Sequence, residues 1–194
     1  MSCMKHVGLN VMADPVFTVS YIGANGGLVF CVADDPGMHS SQNEQDSRHY
    51  AAAAKIPMLE PSNSAECRDF TKAAFELSEK YDTPVFVRLS TRVSHSQSLV
   101  ELYDPEEVAL KDYEKNIPKH VMMPAMAKQR HVIVEQREQA LREFANDCPF
   151  NTVEDNGAKI GVISSGAAYT YAKEALGDKA NYLKLGLVYP LPEK

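Results

Sequence analysis

Polar side chains crowd residues 33–51, ADDPGMHSSQNEQDSRHYA, which follow the short apolar run GGLVFCV. The stretch contains carboxylates, histidines, hydroxyls, amides and an arginine. Groups of these types bind small polar molecules through hydrogen bonds and can exchange protons with them. The stretch therefore predicts a loop that lines a ligand-binding crevice, although it contains no complete catalytic set.

The same residues argue against two common kinds of site. Asp34, Asp35 and His39 lack the H-x-H or H-E-x-x-H spacing of metal ligands, so a protein-ligated metal is not expected. Capping and turn formation explain the run DDPG better. Ser40 and Ser41 stand outside any G-x-S-x-G elbow, so a serine hydrolase is rejected.

Three weaker signals leave alternatives open. The glycines of GANGG lack the G-x-G-x-x-G order and precede a strand, which indicates a turn instead of a phosphate cradle. SSG at 164–166 lies between a predicted strand and a predicted helix. It is either an anion-binding turn or a plain connection. His6 and His95 lie at predicted strand ends. Each is either a surface histidine or a member of a site.

Composition excludes several classes of function. With 194 residues and 44% hydrophobic side chains, the chain can bury a real core, and its length suits one domain plus part of another. A net charge of −6 without a long basic cluster argues against a nucleic-acid partner. The scattered cysteines form no C-x-x-C pair, which favours reduced thiols over an iron–sulfur or zinc site. With no signal peptide and no apolar run of about 20 residues, the sequence predicts a cytoplasmic protein without a membrane partner.

Hydrophobic periodicity alternates between the helical and the strand repeat, as in α/β folds. Asp14-Pro15 and the pair Asn63 and Glu66 are helix-start signals. The predicted helices cover 14–22, 46–55 and 63–81. The predicted strands cover 28–33 and 85–90, and residues 58–61 are predicted to be a short strand followed by a turn. Parallel strands would bring residues 33–51 and the loop TRVSHS to the same edge of the sheet, where α/β proteins bind ligands.

A change of pattern divides the chain. Residues 1–100 are expected to form an open, mostly parallel sheet flanked by helices, and residues 101–130, with three prolines, a linker. Residues 131–194 are expected to begin a second α/β domain. The pattern there predicts a helix over 127–146, a buried strand over 159–166, a helix ended by Gly177 and a strand in NYLKLGLV. Because so few elements cannot complete a sheet, this domain is expected to be cut short.

Long motifs resemble a known family. The runs are MKHVGLNVMADP, GGLVFCVADDPGMHSSQNEQDSRHYAAAAKIPMLEPS and TPVFVRLSTRVSHS. They are similar to the alpha subunits of indolepyruvate ferredoxin oxidoreductases, within the thiamine-diphosphate-dependent 2-oxoacid:ferredoxin oxidoreductase family, over nearly the whole chain. The resemblance implies that residues 1–100 are part of a pyrimidine-binding domain and that residues 131–194 begin a domain of transketolase C-terminal type.

The resemblance also implies an activity. Enzymes of this family oxidatively decarboxylate a 2-oxoacid, here an aryl one such as indolepyruvate, to the acyl-coenzyme A. Thiamine diphosphate with magnesium and iron–sulfur clusters are the cofactors of the full-length enzyme. The implied partners are a beta subunit, ferredoxin, coenzyme A and the 2-oxoacid.

Site residues follow by matching this sequence to the family. The polar loop would surround the substrate or the reactive end of the cofactor through His39, Ser40, Ser41, Gln42 and Asn43. The run MKHVG would approach the aminopyrimidine through Lys5, His6 and Gly8, the glycine allowing close backbone packing. Asp46 and Arg48 are expected to pair and to hold the loop instead of reacting.

Departures from the family limit the expectation. The glutamate that activates the pyrimidine lies upstream of the strand matching MSCMKHV, and the G-D-G segment and ferredoxin-like cysteines are absent from this sequence. The chain is therefore expected to be a fragment that binds no cofactor stably alone, is inactive alone and exposes apolar sheet surface. The alternative function is a noncatalytic α/β binding or assembly module, whose loop packs against a partner.

Overall fold

Strands and helices alternate along the chain, so the predicted α/β class is confirmed. The computed structural model describes residues 1–105 and 107–194. Within them the strands are Ser2–Lys5 (β1), Val29–Asp34 (β2), Met58–Leu59 (β3), Val85–Ser90 (β4), Thr152–Glu154 (β5), Ile160–Ser165 (β6), Ala180–Leu185 (β7) and Leu187–Tyr189 (β8).

Helices connect most of these strands. In the same described residues they are His6–Val11 (α1), Ala13–Ile22 (α2), Ser47–Ala54 (α3), Ser64–Tyr81 (α4), Thr91–His95 (α5), Ile117–His120 (α6), Pro124–Asn146 (α7) and Gly166–Leu176 (α8), followed by a 3₁₀ turn at Gly177–Lys179. None of the helices in residues 1–105 and 107–194 combines the length and the apolar composition that a membrane crossing requires.

The first sheet has the strand order β1-β2-β4-β3-β8. Its first four strands are parallel, and β8 pairs with β3 in the antiparallel direction. Asp34 lies opposite Ser90 and Lys5 opposite Ala33, so the carboxyl ends of β1, β2 and β4 are adjacent. A second sheet has the order β5-β7-β6.

Two apolar clusters cover opposite faces of the first sheet. Because successive strand residues point to opposite faces, Val85 and Val87 join one cluster and Phe86 joins the other. The first cluster includes residues of α4 and α7, and the second includes residues of α1, α2 and α3. The core is therefore a helix–sheet–helix sandwich that holds the strand ends in place.

The start of α4 follows its sequence signal. Asn63 Oδ1 accepts the backbone N–H of Glu66 at 2.9 Å. The Glu66 carboxylate does not bind Asn63 in return. It accepts the N–H and the hydroxyl of Ser62 at 2.8 Å each. The cap thus satisfies the Glu66 N–H of the first turn and the Ser62 N–H just before the helix, a variant of the capping box.

Three local predictions are wrong. TRVSHS is not wholly a loop, because the Ser90 hydroxyl accepts the N–H of Val93 at 3.4 Å and caps the one-turn helix α5. NYLKLGLV is not one strand, because Gly186 separates β7 from β8 at a point where a Cβ would lie 2.4 Å from the Phe150 carbonyl oxygen. The strand predicted over 159–166 is not buried. Ile163 is 70% exposed and Val153, on the same face of the second sheet, is 78% exposed, so this face is largely uncovered among the described residues.

The division at residues 101–130 stays a prediction. Two contacts join the C-terminal part of the chain to its first 100 residues. Strand β8 pairs with β3 of the first sheet, and α7 packs on α2. Helix α7 begins at Pro124, three residues before the predicted start.

Buried arginines of α7 cap the end of α2. Arg137 donates to the Ser20 carbonyl at 2.8 Å, to the Ser20 hydroxyl at 3.1 Å and to the Asp82 carbonyl at 3.0 Å. Arg130 donates to the Tyr21 carbonyl at 2.7 Å. Carbonyl groups at a helix end have no partner within the helix, so these contacts satisfy them. Burial lowers the pKa of the Arg137 guanidinium to about 10.

Arg137→Met is expected to lower the free energy of unfolding by about 3 kcal/mol, because it leaves buried acceptors unpaired. Urea unfolding measures the change. Arg142→Met is the matched control, since Arg142 is 38% exposed and pairs with Glu138 and Glu193 near the surface, so its loss should cost less than about 1 kcal/mol. Equal losses in the two variants would contradict the capping role.

Candidate functional site

Parallel strands bring the two polar segments to one edge of the first sheet. The loop after β2 and the start of α5 after β4 meet there, because the Thr91 hydroxyl donates to Asp35 Oδ1 at 2.7 Å. This contact confirms the predicted meeting of residues 33–51 with TRVSHS. The edge is the usual position of a ligand crevice in an open α/β sheet.

The Asp35 carboxylate organises the loop. Its Oδ1 accepts the backbone N–H of His39 at 3.1 Å, and its Oδ2 accepts the N–H of Ser40 at 2.8 Å and the hydroxyl of Ser41. Asp35 is only 3% exposed. The hydrogen bond from the Ser41 hydroxyl is the largest cause that holds the Asp35 pKa well below its usual range, followed by the bonds from Thr91 and Ser40.

Lys5 ties the end of β1 to the same loop. Its ammonium donates to the Ser40 carbonyl at 2.7 Å and lies 3.8 Å from Asp35 Oδ2. The Lys5 side chain stays 39% exposed. The loop is thus held from both sides, by β1 through Lys5 and by α5 through Thr91.

A turn explains the run DDPG, as the sequence predicts. The Met38 N–H donates to the Asp35 carbonyl at 3.0 Å, and Gly37 and Met38 take positive φ values of 81° and 52°. Glu44 accepts the Gly37 N–H at 2.8 Å. This backbone geometry reverses the chain directly after β2.

A buried ion chain lies beneath the loop. Arg88 donates from Nε to Asp34 Oδ2 at 2.6 Å and from one terminal nitrogen to Glu60 Oε1 at 2.7 Å. Asp34 also accepts the N–H and the hydroxyl of Ser47, at 3.0 and 2.8 Å. Asp34, Glu60 and Arg88 are each no more than 6% exposed. This buried ion chain links the ends of β2, β3 and β4 to the start of α3 at the carboxyl edge.

Sequence reasoning missed this ion chain. One feature of the sequence could have indicated it. Arg88 is a charged residue inside the apolar strand VFVRLS, and a charge in a buried strand must be paired. Among the described residues, Asp34 Oδ1 and Glu60 Oε2 are buried and have no hydrogen-bond partner.

The expected pairing of Asp46 with Arg48 is confirmed. Asp46 Oδ1 accepts the Arg48 N–H at 3.0 Å and caps α3, and the Arg48 guanidinium binds both Asp46 oxygens at 2.7 to 3.0 Å. Because Asp46 caps α3 and binds Arg48 of that helix, the pair supports the loop at the start of α3.

The loop residues predicted for the site divide into two groups. Ser40 acts through its backbone, and the Ser41 hydroxyl is engaged by Asp35, so both support the loop. His39, Gln42 and Asn43 are exposed at the edge. Asn43 Oδ1 accepts from Gln45 at 2.9 Å. The structure therefore brings these residues together at one edge, with the His39 imidazole open to solvent.

The residues predicted from MKHVG differ from one another. Lys5 faces the loop, whereas His6 is 1% exposed, so its reading as a surface histidine is wrong. The reason is that His6 begins α1, which packs on β2. Both His6 ring nitrogens are buried without a hydrogen-bond partner among the described residues. A Cβ at Gly8 would lie 3.1 Å from Met4 Cβ, so Gly8 allows α1 to pack on β1.

The donor set at this edge suits the pyrimidine side of a thiamine cofactor. It offers an ammonium, an exposed imidazole and amides, and the His6 ring lies next to Lys5 with two buried nitrogens that have no partner among the described residues. In residues 1–105 and 107–194 no group of three or more His, Cys, Asp and Glu side chains is placed to hold a metal.

Comparison with known proteins assigns the family. A family model described as pyruvate flavodoxin/ferredoxin oxidoreductase, thiamine diphosphate-binding, matches residues 32–146, which is more than half of the chain. The chain belongs to this oxidoreductase family. The matched region includes the Asp35 loop and Arg88, whereas Lys5 and His6 precede it.

Curated relatives agree with this oxidoreductase family. The chain is 42% identical over 199 residues to the indolepyruvate oxidoreductase subunit IorA of Archaeoglobus fulgidus, a match that covers 100% of the chain and 32% of the relative. It is 46% identical over 203 residues to the subunit of the same name from Pyrococcus abyssi, covering 99% of the chain and 31% of the relative. The chain thus spans about a third of the length of the curated relatives that it matches.

A solved structure shares the fold. It is a 2-oxoglutarate:ferredoxin oxidoreductase from Magnetococcus marinus with 2-oxoglutarate, coenzyme A and succinyl-CoA bound. The TM-score is 0.63 at 14% identity, and the match covers 98% of this chain and 42% of that chain. The resemblance drawn from the sequence motifs to the oxidoreductase family is confirmed.

Proposed function

We propose that this chain is a segment of an enzyme that oxidatively decarboxylates aryl 2-oxoacids such as indolepyruvate to the acyl-coenzyme A and passes the electrons to ferredoxin. One observation supports it most. The family match includes a loop that Asp35 holds at the carboxyl edge of a parallel sheet, with exposed hydrogen-bonding side chains. The names of the curated relatives favour indolepyruvate as the substrate.

Thiamine diphosphate, when bound, supplies a carbon nucleophile and an electron sink for decarboxylation. Lys5 and His6 would hold its aminopyrimidine side, since the two unpartnered nitrogens of the His6 ring are a buried donor and acceptor that lack a partner. Gly8 keeps α1 close to β1 and so fixes the position of His6. Magnesium and the iron–sulfur clusters are assigned to the rest of the full-length enzyme.

The chain's own residues would position the substrate. The Lys5 ammonium favours a carboxylate at the loop, because opposite charges attract at this partly exposed edge. His39 can hold or move a proton at its Nε2 atom, and Gln42 and Asn43 offer amide donors. Asp35 and the buried ion chain keep this surface in one arrangement before the substrate arrives.

The proposed setting is a cytoplasmic complex with a beta subunit, ferredoxin and coenzyme A. The word subunit in the names of the relatives supports a multi-chain enzyme. The 194-residue chain alone is expected to be inactive and to bind no cofactor stably.

Dye reduction tests the function. The full-length subunit, assembled with its partner and clusters, is mixed with indolepyruvate, coenzyme A, thiamine diphosphate and a viologen. The expected result is viologen reduction that requires indolepyruvate, coenzyme A and thiamine diphosphate, and that the 194-residue chain alone does not perform. An assembly that holds cofactor and clusters but reduces no dye would overturn the proposal.

A noncatalytic assembly module is the second candidate. Exposed apolar side chains on the second sheet favour it, since Val153 is 78%, Ile160 53% and Ile163 70% exposed. The same dye assay separates the two functions, because a module of this kind gives no substrate-dependent reduction in any assembly.

His39→Ala is expected to lower turnover of the assembled enzyme at least tenfold, because removal of a proton-transfer group typically costs about 10²–10⁴-fold and removal of a hydrogen-bond donor costs less. The turnover number for dye reduction measures the change. His49→Ala is the matched control, as a second exposed histidine at the same edge, on α3. Equal rates in wild type and His39→Ala would remove His39 from the site.

A further inference from the structure

Sulfur atoms gather on the first sheet, on the face opposite α1, α2 and α3. Cys3 of β1 and Cys31 of β2 are register partners in parallel strands, so both side chains project from the same face. Because neighbouring strands lie about 4.8 Å apart, the two side chains are adjacent on that face. The Cys31 thiol also lies 3.8 Å from the Met1 thioether sulfur.

The position of the cluster leaves it accessible. Cys3 is exposed and Cys31 half-buried, on the edge pair of the sheet. These cysteines are free thiols. No part of the site at the carboxyl edge uses them.

We infer that Cys3, Cys31 and Met1 form a binding site for a soft monovalent cation, Cu(I). Thiolate and thioether ligands select soft ions, whereas hard ions and zinc are bound by sets that include carboxylates, imidazoles or four thiolates.

Cation binding would displace the thiol protons, because the thiolate is the form of cysteine that binds a metal. Bound Cu(I) would link β1 to β2.

Anaerobic titration tests the site. The reduced 194-residue chain competes for Cu(I) with a coloured Cu(I) chelator of known affinity. We expect one tightly bound Cu(I) per chain, and a rise in the unfolding midpoint when Cu(I) is present, because an ion that binds only the folded state stabilises it. Zn(II) in place of Cu(I) is expected to bind at least a hundredfold more weakly.

Variants identify the ligands. Cys3→Ser, at an exposed position where folding tolerates the change, and Cys31→Ala are each expected to weaken Cu(I) binding at least a hundredfold. Cys148→Ala is the control, since Cys148 is buried in the first apolar cluster just after the end of α7, and it should leave binding unchanged. Circular dichroism checks the fold of each variant. Unchanged affinity in Cys3→Ser, or a stoichiometry that falls in Cys148→Ala instead, would overturn the inference.

Discussion

Asp35→Ala is expected to lower the turnover of the assembled oxidoreductase about a hundredfold, since a displacement of about 1 Å in positioning groups costs roughly that much. The carboxylate accepts the N–H groups of His39 and Ser40 and the hydroxyls of Ser41 and Thr91. Its loss frees all four donors at once, so the loop has no common anchor. Steady-state dye reduction gives the turnover number and the KM for the 2-oxoacid.

Asp35→Asn sharpens the test. Asparagine keeps one acceptor oxygen but points an NH₂ donor at groups that are themselves donors, so we expect it to behave more like alanine than like wild type. Glu44→Ala is the matched control. Glu44 is an exposed acid of the same loop that accepts the Gly37 N–H, so its loss should change turnover no more than a few-fold. Equal losses for Asp35 and Glu44 would contradict the anchoring role.

The pH dependence of the loop follows from the same contacts. The folded-state pKa of Asp35 lies below its unfolded value, so its stabilisation is present above the ordinary aspartate pKa of about 3.9 and is lost as the pH falls through the folded value. The loop should therefore stay ordered from pH 5 upward. Loss of its amide protection from hydrogen exchange near pH 5 would contradict this assignment.

Arg88→Met is expected to lower the free energy of unfolding by about 3–5 kcal/mol, the usual cost of removing one member of a buried ion pair. The change leaves the carboxylates of Asp34 and Glu60 buried without their shared cation. Urea unfolding with a two-state fit measures the loss, and an unchanged slope shows that the unfolded states are comparable.

Two comparisons make the Arg88 result specific. Arg48→Met removes an arginine whose side chain is 46% exposed and which pairs with Asp46, so a loss of less than about 1 kcal/mol is expected. The triple variant Asp34→Leu, Arg88→Met and Glu60→Leu removes the stranded charges and should recover part of the stability. A single Arg88→Met variant as stable as Arg48→Met would show that the ion chain contributes little.

Much of the fold was predictable because its signals are local. The α4 start depends on Asn63 and Glu66, three residues apart, and β4 was predicted with its observed bounds from the run VFVRLS. The turn at DDPG also depends on neighbouring residues, since Asp35 accepts from residues three to five positions later.

Long-range pairing explains what the sequence did not reveal. Arg88 lies 54 residues from Asp34 and 28 from Glu60, and periodicity carries no information about such partners. The exposure of Ile163 in β6 depends on what packs on that face of the second sheet, which the apolar run KIGVISSG does not encode. The pairing of β8 with β3 likewise joins residues more than a hundred positions apart.

The candidate site was predictable in its place but not in its roles. The crowd of polar residues after β2 located the loop at the carboxyl edge. It did not distinguish Ser41, whose hydroxyl is engaged by Asp35, from His39, whose imidazole is exposed. That distinction depends on the folded path of the loop around one carboxylate. The roles of His39, Ser40, Ser41, Gln42, Asn43, Lys5, His6 and Gly8 in binding or catalysis stay predictions.

Release of labelled carbon dioxide tests the central proposal most directly, that the Asp35 loop positions a 2-oxoacid for decarboxylation. Carboxyl-labelled indolepyruvate is given to the assembled oxidoreductase, with and without thiamine diphosphate, in wild type and in Asp35→Ala. We expect release that requires thiamine diphosphate and that slows about a hundredfold in Asp35→Ala. Release at the wild-type rate in Asp35→Ala, or no release by a cofactor-loaded wild-type assembly, would contradict the account.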